Sequence, residues 1–361
     1  MKTTDKKVKQ LLTEYTKKIE SSEIVKYPLV TITILTYNHD EYIEKTIKSV
    51  LSQKVDFSLE IIIGDDSSTD GTSAIVDRYQ HQHADKIIIL RSTKNLGILT
   101  VDPGRLNGLR LFRSCRGKYI ALCEGDDYWT DPYKLQKQVD YLEANPDCSI
   151  CTHWVKTKDE SGQGIHEHAF SSKDRKNPLY KNDLFENKNG SPHGTAYHPL
   201  SWVFRSELVK HIPKWIYPIR GGDDVLFTEF LQHGYCYCIP EFMGTYRITK
   251  KSSWAPLSPM IKTLAQIHFL INVRIHYANY HYKVNKILEN HLINLKNWKI
   301  NRADLTKLLK ELFKIFRNDQ KSTIPILNFY TKVFLHQFYY NSIGLIRIKI
   351  GKFRNMYFRN V

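Results

Sequence analysis

The residues best placed to do chemistry are carboxylates in tight groups: Asp65-Asp66, Glu124-Gly125-Asp126-Asp127 and Asp223-Asp224. Carboxylate oxygens are hard ligands that suit Mg²⁺ or Mn²⁺, and such an ion bridges one or two carboxylates to the phosphates of a substrate. A carboxylate within hydrogen-bond reach of a hydroxyl also serves as a general base. No Gly-x-Gly-x-x-Gly joins the first strand to its helix, and no Gly-x-x-x-x-Gly-Lys-Ser/Thr occurs, so dinucleotide and P-loop phosphate binding are not indicated. Asp also favours turns and helix caps, so one acidic group alone would mean little. Two that end strands of one sheet point to a site.

The flanking residues say what must hold these groups. Leu29 to Tyr37 reads as a strand rich in β-branched residues, followed by the turn Asn38-His39-Asp40 and a helix over 41–53 with Ile43, Ile47 and Val50 on one side. Leu59 to Ile63 is a second strand, ending at Asp65-Asp66, and 72–82 a second helix. Lys86 to Arg91 and Tyr119 to Cys123 are further strands, the latter ending at Glu124. Asp131-Pro132 opens a helix with Leu135, Val139 and Leu142 as its buried stripe. Near-continuous apolar strands alternating with amphipathic helices predict an α/β fold with a mostly parallel, two-sided sheet. Ligands of such sheets bind beyond the carboxyl ends of the strands, where Thr36-Tyr37-Asn38, Asp65-Asp66 and Glu124 to Asp127 fall. Residues 5–20 predict one amphipathic helix, 158–195 a long mobile loop, Ser201 to Phe204 and Tyr235 to Tyr246 short strands, and Asp223 to His233 a helix.

Residues 30–130 resemble the family 2 glycosyltransferases, which have the GT-A fold. The resemblance rests on Thr33-Ile34-Leu35-Thr36-Tyr37-Asn38, Glu60-Ile61-Ile62-Ile63-Gly64-Asp65-Asp66-Ser67-Ser68-Thr69-Asp70-Gly71-Thr72, Asn95-Leu96-Gly97, and Gly117 through Glu124-Gly125-Asp126-Asp127-Tyr128-Trp129. It continues more weakly to about 254, and the Glu-Gly-Asp-Asp-Tyr-Trp form looks like bacterial enzymes that build surface polysaccharides such as capsule or O-antigen. The resemblance implies roles. Tyr37 would lie against the nucleotide base with Thr36 and Asn38 beside it, and Asp65 or Asp66 would accept a hydrogen bond from the base. Glu124-Gly125-Asp126 occupies the place of the family's Asp-x-Asp metal motif, with Glu in place of the first Asp, and implies Mn²⁺ or Mg²⁺. Asp127 would face the donor sugar, and Arg105 or Arg110 would be the basic residue near the nucleotide.

In the second half, Gly221-Gly222-Asp223-Asp224 fits the helix start that carries the family's general base, with Asp223 ahead of Asp224. Ser201 and Trp202 fall on the acceptor-side strand, where Trp202 is either a sugar platform or a core aromatic. Tyr246-Arg247-Ile248-Thr249 matches a segment that often reads Tyr-Arg-x-His, so Thr249 stands where some relatives have a metal-side histidine.

Composition supports a globular enzyme. The chain has 361 residues, 42% hydrophobic and 12% aromatic, too apolar for a disordered chain. Its net charge is +16, and residues 250–361 carry all of that surplus, with 20 basic and 4 acidic side chains. Residues 1–249 hold 33 of each. The basic, aromatic stretches Lys307 to Arg317 and Ile343 to Phe358 predict helices suited to an anionic membrane surface. A nucleic-acid partner is not expected, since no known module is visible. The N-terminus lacks a secretory signal and the six cysteines suggest reduced thiols, so a cytoplasmic protein, peripheral at the cytoplasmic face of the membrane, is expected. Cys148-x-x-Cys151 with Cys236-x-Cys238 is discounted as a zinc site.

The expected organisation is an N-terminal helical extension over 1–26 and a GT-A domain over 27–255, followed by a basic helical region over 256–361. Within the GT-A domain, 27–150 would be the nucleotide-sugar half and 151–255 the acceptor half. The expected function is an inverting, metal-dependent transfer of a hexose or N-acetylhexosamine from a UDP-linked donor to a hydroxyl of a growing glycan, lipid-linked at the membrane. The alternatives are a catalytically idle, glycan-binding or scaffolding relative, and a nucleotidyltransferase, which would need a glycine-rich loop after the first strand.

Overall fold

The computed structural model describes residues 5–160, 165–166, 176–186, 197–249, 251–252, 254 and 257–297. In chain order the elements are α1 (Asp5–Glu14), β1 (Thr16–Ile19), β2 (Val30–Thr36), α2 (Ile43–Leu51), β3 (Leu59–Asp65), α3 (Thr72–Gln82) and β4 (Ile87–Ser92). Next come α4 (Arg105–Ser114), β5 (Tyr119–Glu124), β6 (Tyr128–Trp129), α5 (Lys134–Ala144), β7 (Cys148–Asp159), β8 (Ile165–His166) and β9 (Leu179–Tyr180). The remainder are β10 (Val203–Arg205), α6 (Gly222–Phe230), β11 (Tyr235–Ile248), α7 (Pro259–His276) and α8 (His281–Asn297). The chain divides into two compact units, Met1–Leu270 and Ile271–Val361, and the sheet lies in the first. No helix among the described residues is long and apolar enough to cross a membrane.

The strands form one sheet in the order β1-β4-β3-β2-β5-β10-β7-β11-β6, with β8 on β7 and β9 on β11. The central run β4-β3-β2-β5 is parallel. It is buried on both faces because side chains alternate across a strand. Ile61, Ile63, Ile87 and Ile89 face one layer with Ile43 and Ile47 of α2, Val76 of α3 and Leu135 and Val139 of α5. Their neighbours Ile62, Ile88 and Leu90 face the other layer, against Leu111 of α4.

The chain runs β2, β3, β4 toward one side, then crosses by α4 to place β5 on the free side of β2. Strand order therefore reverses between β2 and β5, and a crevice opens at such a switch point. Register aligns its walls: Thr36 pairs with Asp65, and Leu35 with Glu124.

Two expectations about local structure are corrected. The helix expected over 5–20 ends at Glu14, and Thr16–Ile19 is an edge strand antiparallel to β4. Its Lys17 and Lys18 are exposed, which suits an edge that must not recruit another strand. The loop expected over 158–195 is partly ordered: β7 continues to Asp159, and β8 and β9 fall within the span. Residues 161–164, 167–175 and 187–195 of that span, and the basic stretches at 307–317 and 343–358, lie outside the described residues.

At the opposite end of the sheet, Glu60 is fully buried. Its carboxylate accepts the Thr31 hydroxyl at 2.6 Å, the Arg116 backbone N–H at 3.1 Å and Arg116 Nε at 2.8 Å. This network ties β2, β3 and the turn into β5. Arg116→Met would strand a buried carboxylate and is expected to cost about 3 kcal/mol. A fall in denaturant midpoint with an unchanged slope would show it; Arg116→Lys should recover part of the loss.

Candidate active site

The turn after β5 is held from three sides. The Gly125 N–H donates to the Leu35 carbonyl at 2.7 Å, and the Asp127 N–H to the Glu124 carbonyl at 3.0 Å. The Thr46 hydroxyl on α2 donates to the Asp127 carbonyl at 2.6 Å. A side chain on Gly125 would place its Cβ 2.7 Å from both Thr36 Oγ1 and His39 Nδ1, so only glycine fits where β5 meets the end of β2.

Arg247 supplies the third side. Gly244 and Thr245 of β11 pair with Trp129 and Tyr128 of β6, which carries the following residues past the turn. The Arg247 N–H donates to Asp127 Oδ1 at 2.8 Å, its Nε donates to the Asp126 carbonyl, and its Nη2 to the Tyr42 carbonyl at 3.2 Å. Its guanidinium also lies over the Tyr42 and Tyr128 rings at 4.8 and 5.2 Å.

Glu124, Asp126 and Asp127 form the one group of His, Cys, Asp and Glu side chains, among the described residues, that is spaced to hold a metal ion. One carboxylate oxygen from each lies within 4.8 Å of the others. Asp127 Oδ2 is buried without a hydrogen-bond partner. Burial raises Asp127 well above the usual carboxylate range, and the charges of Asp126 and Glu124 raise it further. Glu124 is pushed up to about 8 by burial and then by Asp126, Asp223 and Asp102. Three hard oxygen donors, one of them orphaned, with Glu124 and Asp127 raised by burial and by neighbouring charge, fit a divalent cation.

Asp223 belongs to this field. It sits in the first turn of α6, and its charge contributes to raising both Glu124 and Tyr246. The acidic helix start and the acidic strand end, about a hundred residues apart in sequence, thus face one cleft. Asp224 shares that first turn.

The other expected residues divide. Thr36 is buried at the end of β2, and Tyr37, the next residue, is 42% exposed. Asn38 adopts φ 55° and its side chain accepts the Thr69 N–H at 2.8 Å, so it shapes the turn. Asp65 accepts the Ser68 N–H at 3.0 Å and Arg91 Nε at 3.3 Å. Asp66 accepts the Leu96 and Gly97 N–H groups at 2.8 and 3.0 Å. Burial raises Asp66, and those hydrogen bonds oppose the rise.

The two acceptor-side assignments are corrected, and Asp127, Arg105 and Arg110 are buried. Trp202 is fully buried, with Nε1 donating to the Tyr197 carbonyl at 2.7 Å and its ring against Phe227. Ser201 is equally buried, and its hydroxyl donates to the His198 carbonyl at 2.7 Å. Neither side chain reaches a surface an acceptor could touch; both belong to the core beneath β10. Asp127 also has no exposed surface and belongs to the carboxylate cluster. Arg105 and Arg110 are buried too. Arg110 Nη1 donates to Ser92 Oγ at 2.7 Å, and burial lowers Arg110 to about 10. Thr249, where a histidine was possible, turns its hydroxyl to Ser252 at 3.1 Å.

Sequence reasoning missed three contributors. His39 lies close enough to Asp126 to feel its charge, yet burial dominates and lowers it, keeping the imidazole neutral. Tyr246 packs against the His198 ring, tilted by 37° at a centroid distance of 4.3 Å, within the acidic field. Asp102 adds its charge to Glu124 from a Pro-Gly turn. None has a spacing signal; only the aromatic–basic text of Tyr246-Arg247 hinted at its place.

The raised Glu124 has a measurable consequence. Its ordinary value is 4.5, so between 4.5 and about 8 the folded chain holds more protons than the unfolded one. Stability therefore falls as pH rises through that window, by up to about 1.4 kcal/mol per pH unit where the difference is a full proton. In chelating buffer, Glu124→Gln should be more stable than the unaltered chain near pH 8 and lose that advantage near pH 4.5. Denaturant titrations across the range read this; a pH-independent difference would contradict it.

An uncharacterized protein of Mycobacterium tuberculosis is 32% identical over 226 residues, 62% of this chain and 60% of that one. An uncharacterized glycosyltransferase of Methanocaldococcus jannaschii is 28% identical over 232 residues, 63% of this chain and 73% of that one. The chain thus spans about 60% of the length of the first of these curated relatives. Among solved structures, S. aureus TarS 1–349 superposes with a TM-score of 0.53 at 18% identity, covering 80% of each chain, and its complex with UDP with a TM-score of 0.52. That likeness establishes the GT-A fold. The family model described as "Glycosyl transferase family 2" matches residues 31–212, from β2 through the turn after β10. With half of its length under that match, and the acidic turn of β5 at the centre of the matched span, the chain belongs to glycosyltransferase family 2.

Proposed function

We propose that the chain transfers a sugar from a UDP-linked donor to a hydroxyl of a surface-glycan acceptor, with inversion at the anomeric carbon. The observation that carries this reading is the shared electrostatic field of Asp223 and the Glu124–Asp126–Asp127 cluster across the switch-point crevice. It supports pairing a candidate base with a candidate diphosphate site. Tyr37, exposed at the end of β2, supports a base-stacking role, with Asp65 or Asp66 as the hydrogen-bond acceptor beside it. The UDP complex of the structurally similar TarS domain supports a uridine nucleotide.

In this reading the transfer is one displacement. Asp223 accepts the proton of the acceptor hydroxyl, with Asp224 as the alternative base. The acceptor oxygen bonds to the anomeric carbon as the bond to the diphosphate oxygen breaks, and the nucleoside diphosphate leaves. Glu124, Asp126 and Asp127 would hold Mn²⁺ or Mg²⁺, which supplies positive charge to the departing diphosphate when bound. The basic surplus of residues 250–361 supports a lipid-linked acceptor at an anionic cytoplasmic membrane face.

Calorimetric titration with UDP should show binding that requires Mn²⁺, and Asp126→Asn should abolish it. A panel of UDP-sugars then identifies the donor by metal-dependent turnover. Asp223→Asn should keep UDP affinity and lose about 10²–10⁴-fold in turnover; full turnover would remove Asp223 as the base, and no turnover by the unaltered chain would favour an idle, glycan-binding relative. Separately, the chain should bind vesicles containing anionic lipid and detach at high salt. Equal binding to neutral vesicles would end the membrane assignment.

A further inference from the structure

We propose that Arg105 and Asp102 are positioning residues: they clip the start of α6, and with it Asp223, to the donor half of the fold. The proposal rests on the reading of Asp223 as base. Sequence resemblance places a basic residue of this segment beside the nucleotide, but the geometry points elsewhere.

Arg105 opens α4, and its side chain is 3% exposed. Its Nη2 donates to Asp102 Oδ2 and to the Ile219 carbonyl, both at 2.7 Å. The same Asp102 Oδ2 accepts the Gly221 N–H at 3.3 Å. One carboxylate oxygen thus joins the guanidinium to the turn that begins α6. The guanidinium lies directly under that turn. A Cβ on Gly222 would fall 2.1 Å from Arg105 Nη1, 2.3 Å from Cζ and 2.5 Å from Nη2, so only glycine admits it. Gly221 stands at φ 81°, a left-handed conformation that favours glycine. The Gly-Gly pair therefore has two separate reasons: the first makes the turn, and the second makes room for Arg105.

The clip also reaches the nucleotide edge. Asp66 holds the Leu96 and Gly97 N–H groups, and the chain from there leads through Asp102 into α4. A planar guanidinium presents donors in a fixed fork, which sets distance and angle together. Asp223 follows Gly222 directly, so a shift of this turn moves its carboxylate with it. Displacement of a reacting group by about 1 Å costs on the order of a hundredfold in rate.

The test compares Arg105→Gln, Asp102→Ala and Asp102→Asn in the full chain. Amide hydrogen exchange over 222–230 should quicken about tenfold in the first two variants while β2, β3 and β5 keep their protection. The probe UDP with Mn²⁺ should bind within about twofold of the unaltered chain, whereas kcat for the UDP-sugar found by the panel falls about a hundredfold with little change in KM. Asp102→Asn keeps an amide oxygen for both hydrogen bonds and should restore most of the exchange protection and rate. Parallel loss of UDP affinity and kcat would make Arg105 a nucleotide contact and overturn the clip, as would unchanged exchange over 222–230. If Arg105→Gln does not fold, the less buried Asp102 pair carries the test. If the unaltered chain turns over no UDP-sugar, the assignment of Asp223 as base fails, while exchange over 222–230 still decides whether the clip exists.

Discussion

Two unit charges held 4.8 Å apart in a partly dry cleft repel by roughly 3–4 kcal/mol, and the end of β5 gathers three carboxylates within that spacing. Most features of the crevice respond to this crowding. Gly125 lets the turn close tightly enough to bring the three together, and Thr46 and the Leu35 carbonyl fix its backbone. Arg247 brings one positive charge, but its guanidinium donates to the Asp126 and Tyr42 carbonyls, and only its backbone N–H reaches an Asp127 carboxylate oxygen. Burial, and then the charges of Asp126, Asp223 and Asp102, push Glu124 up to about 8. Such a cluster is organised but incompletely neutralised.

The contrast with the end of β3 shows that crowding alone does not define a site. Asp65 and Asp66 are as deeply buried as Asp126 and Asp127, yet their oxygens accept from Ser68, Arg91, Leu96 and Gly97. Those carboxylates hold loops in place with acceptor capacity largely filled. Asp127 keeps a buried oxygen with no donor at all. The difference lies in the supply of donors: Ser68 after β3, Arg91 on β4, and Leu96 and Gly97 after β4 turn donors to these acids, whereas Gly125 and Asp127 in the turn after β5 direct their N–H groups at carbonyls.

Much of this arrangement was legible in the sequence. Isoleucine-rich runs bounded by polar turns located β2, β3, β4 and β5, and strand alternation placed both helical layers. The parallel pattern then put Thr36, Asp65 and Glu124 on one edge. What escaped was set by contacts between distant segments. Nothing in the text of Arg105 announces that its partner is the backbone at Ile219, and Trp202 in a strand reads alike whether it faces sugar or core. Thr16 to Ile19 continued an amphipathic pattern, but pairing with the exposed edge of β4 satisfied more backbone groups than another helical turn would have.

The charge balance adds a last constraint. Residues 1–249 are neutral in sum, with 33 acidic and 33 basic side chains, yet Asp102, Glu124, Asp126, Asp127 and Asp223 contribute to one local field within them. A diphosphate approaching that edge meets a group of carboxylates, and the guanidiniums of Arg105 and Arg247 are engaged with protein oxygens. On the proposed reading, a cation held by those carboxylates would give the edge the sign that a phosphate ligand needs. Nucleotide binding and metal binding at this edge are thus one hypothesis rather than two: an edge that took up UDP without a divalent ion would contradict the electrostatics of the fold as well as the assignment of its residues.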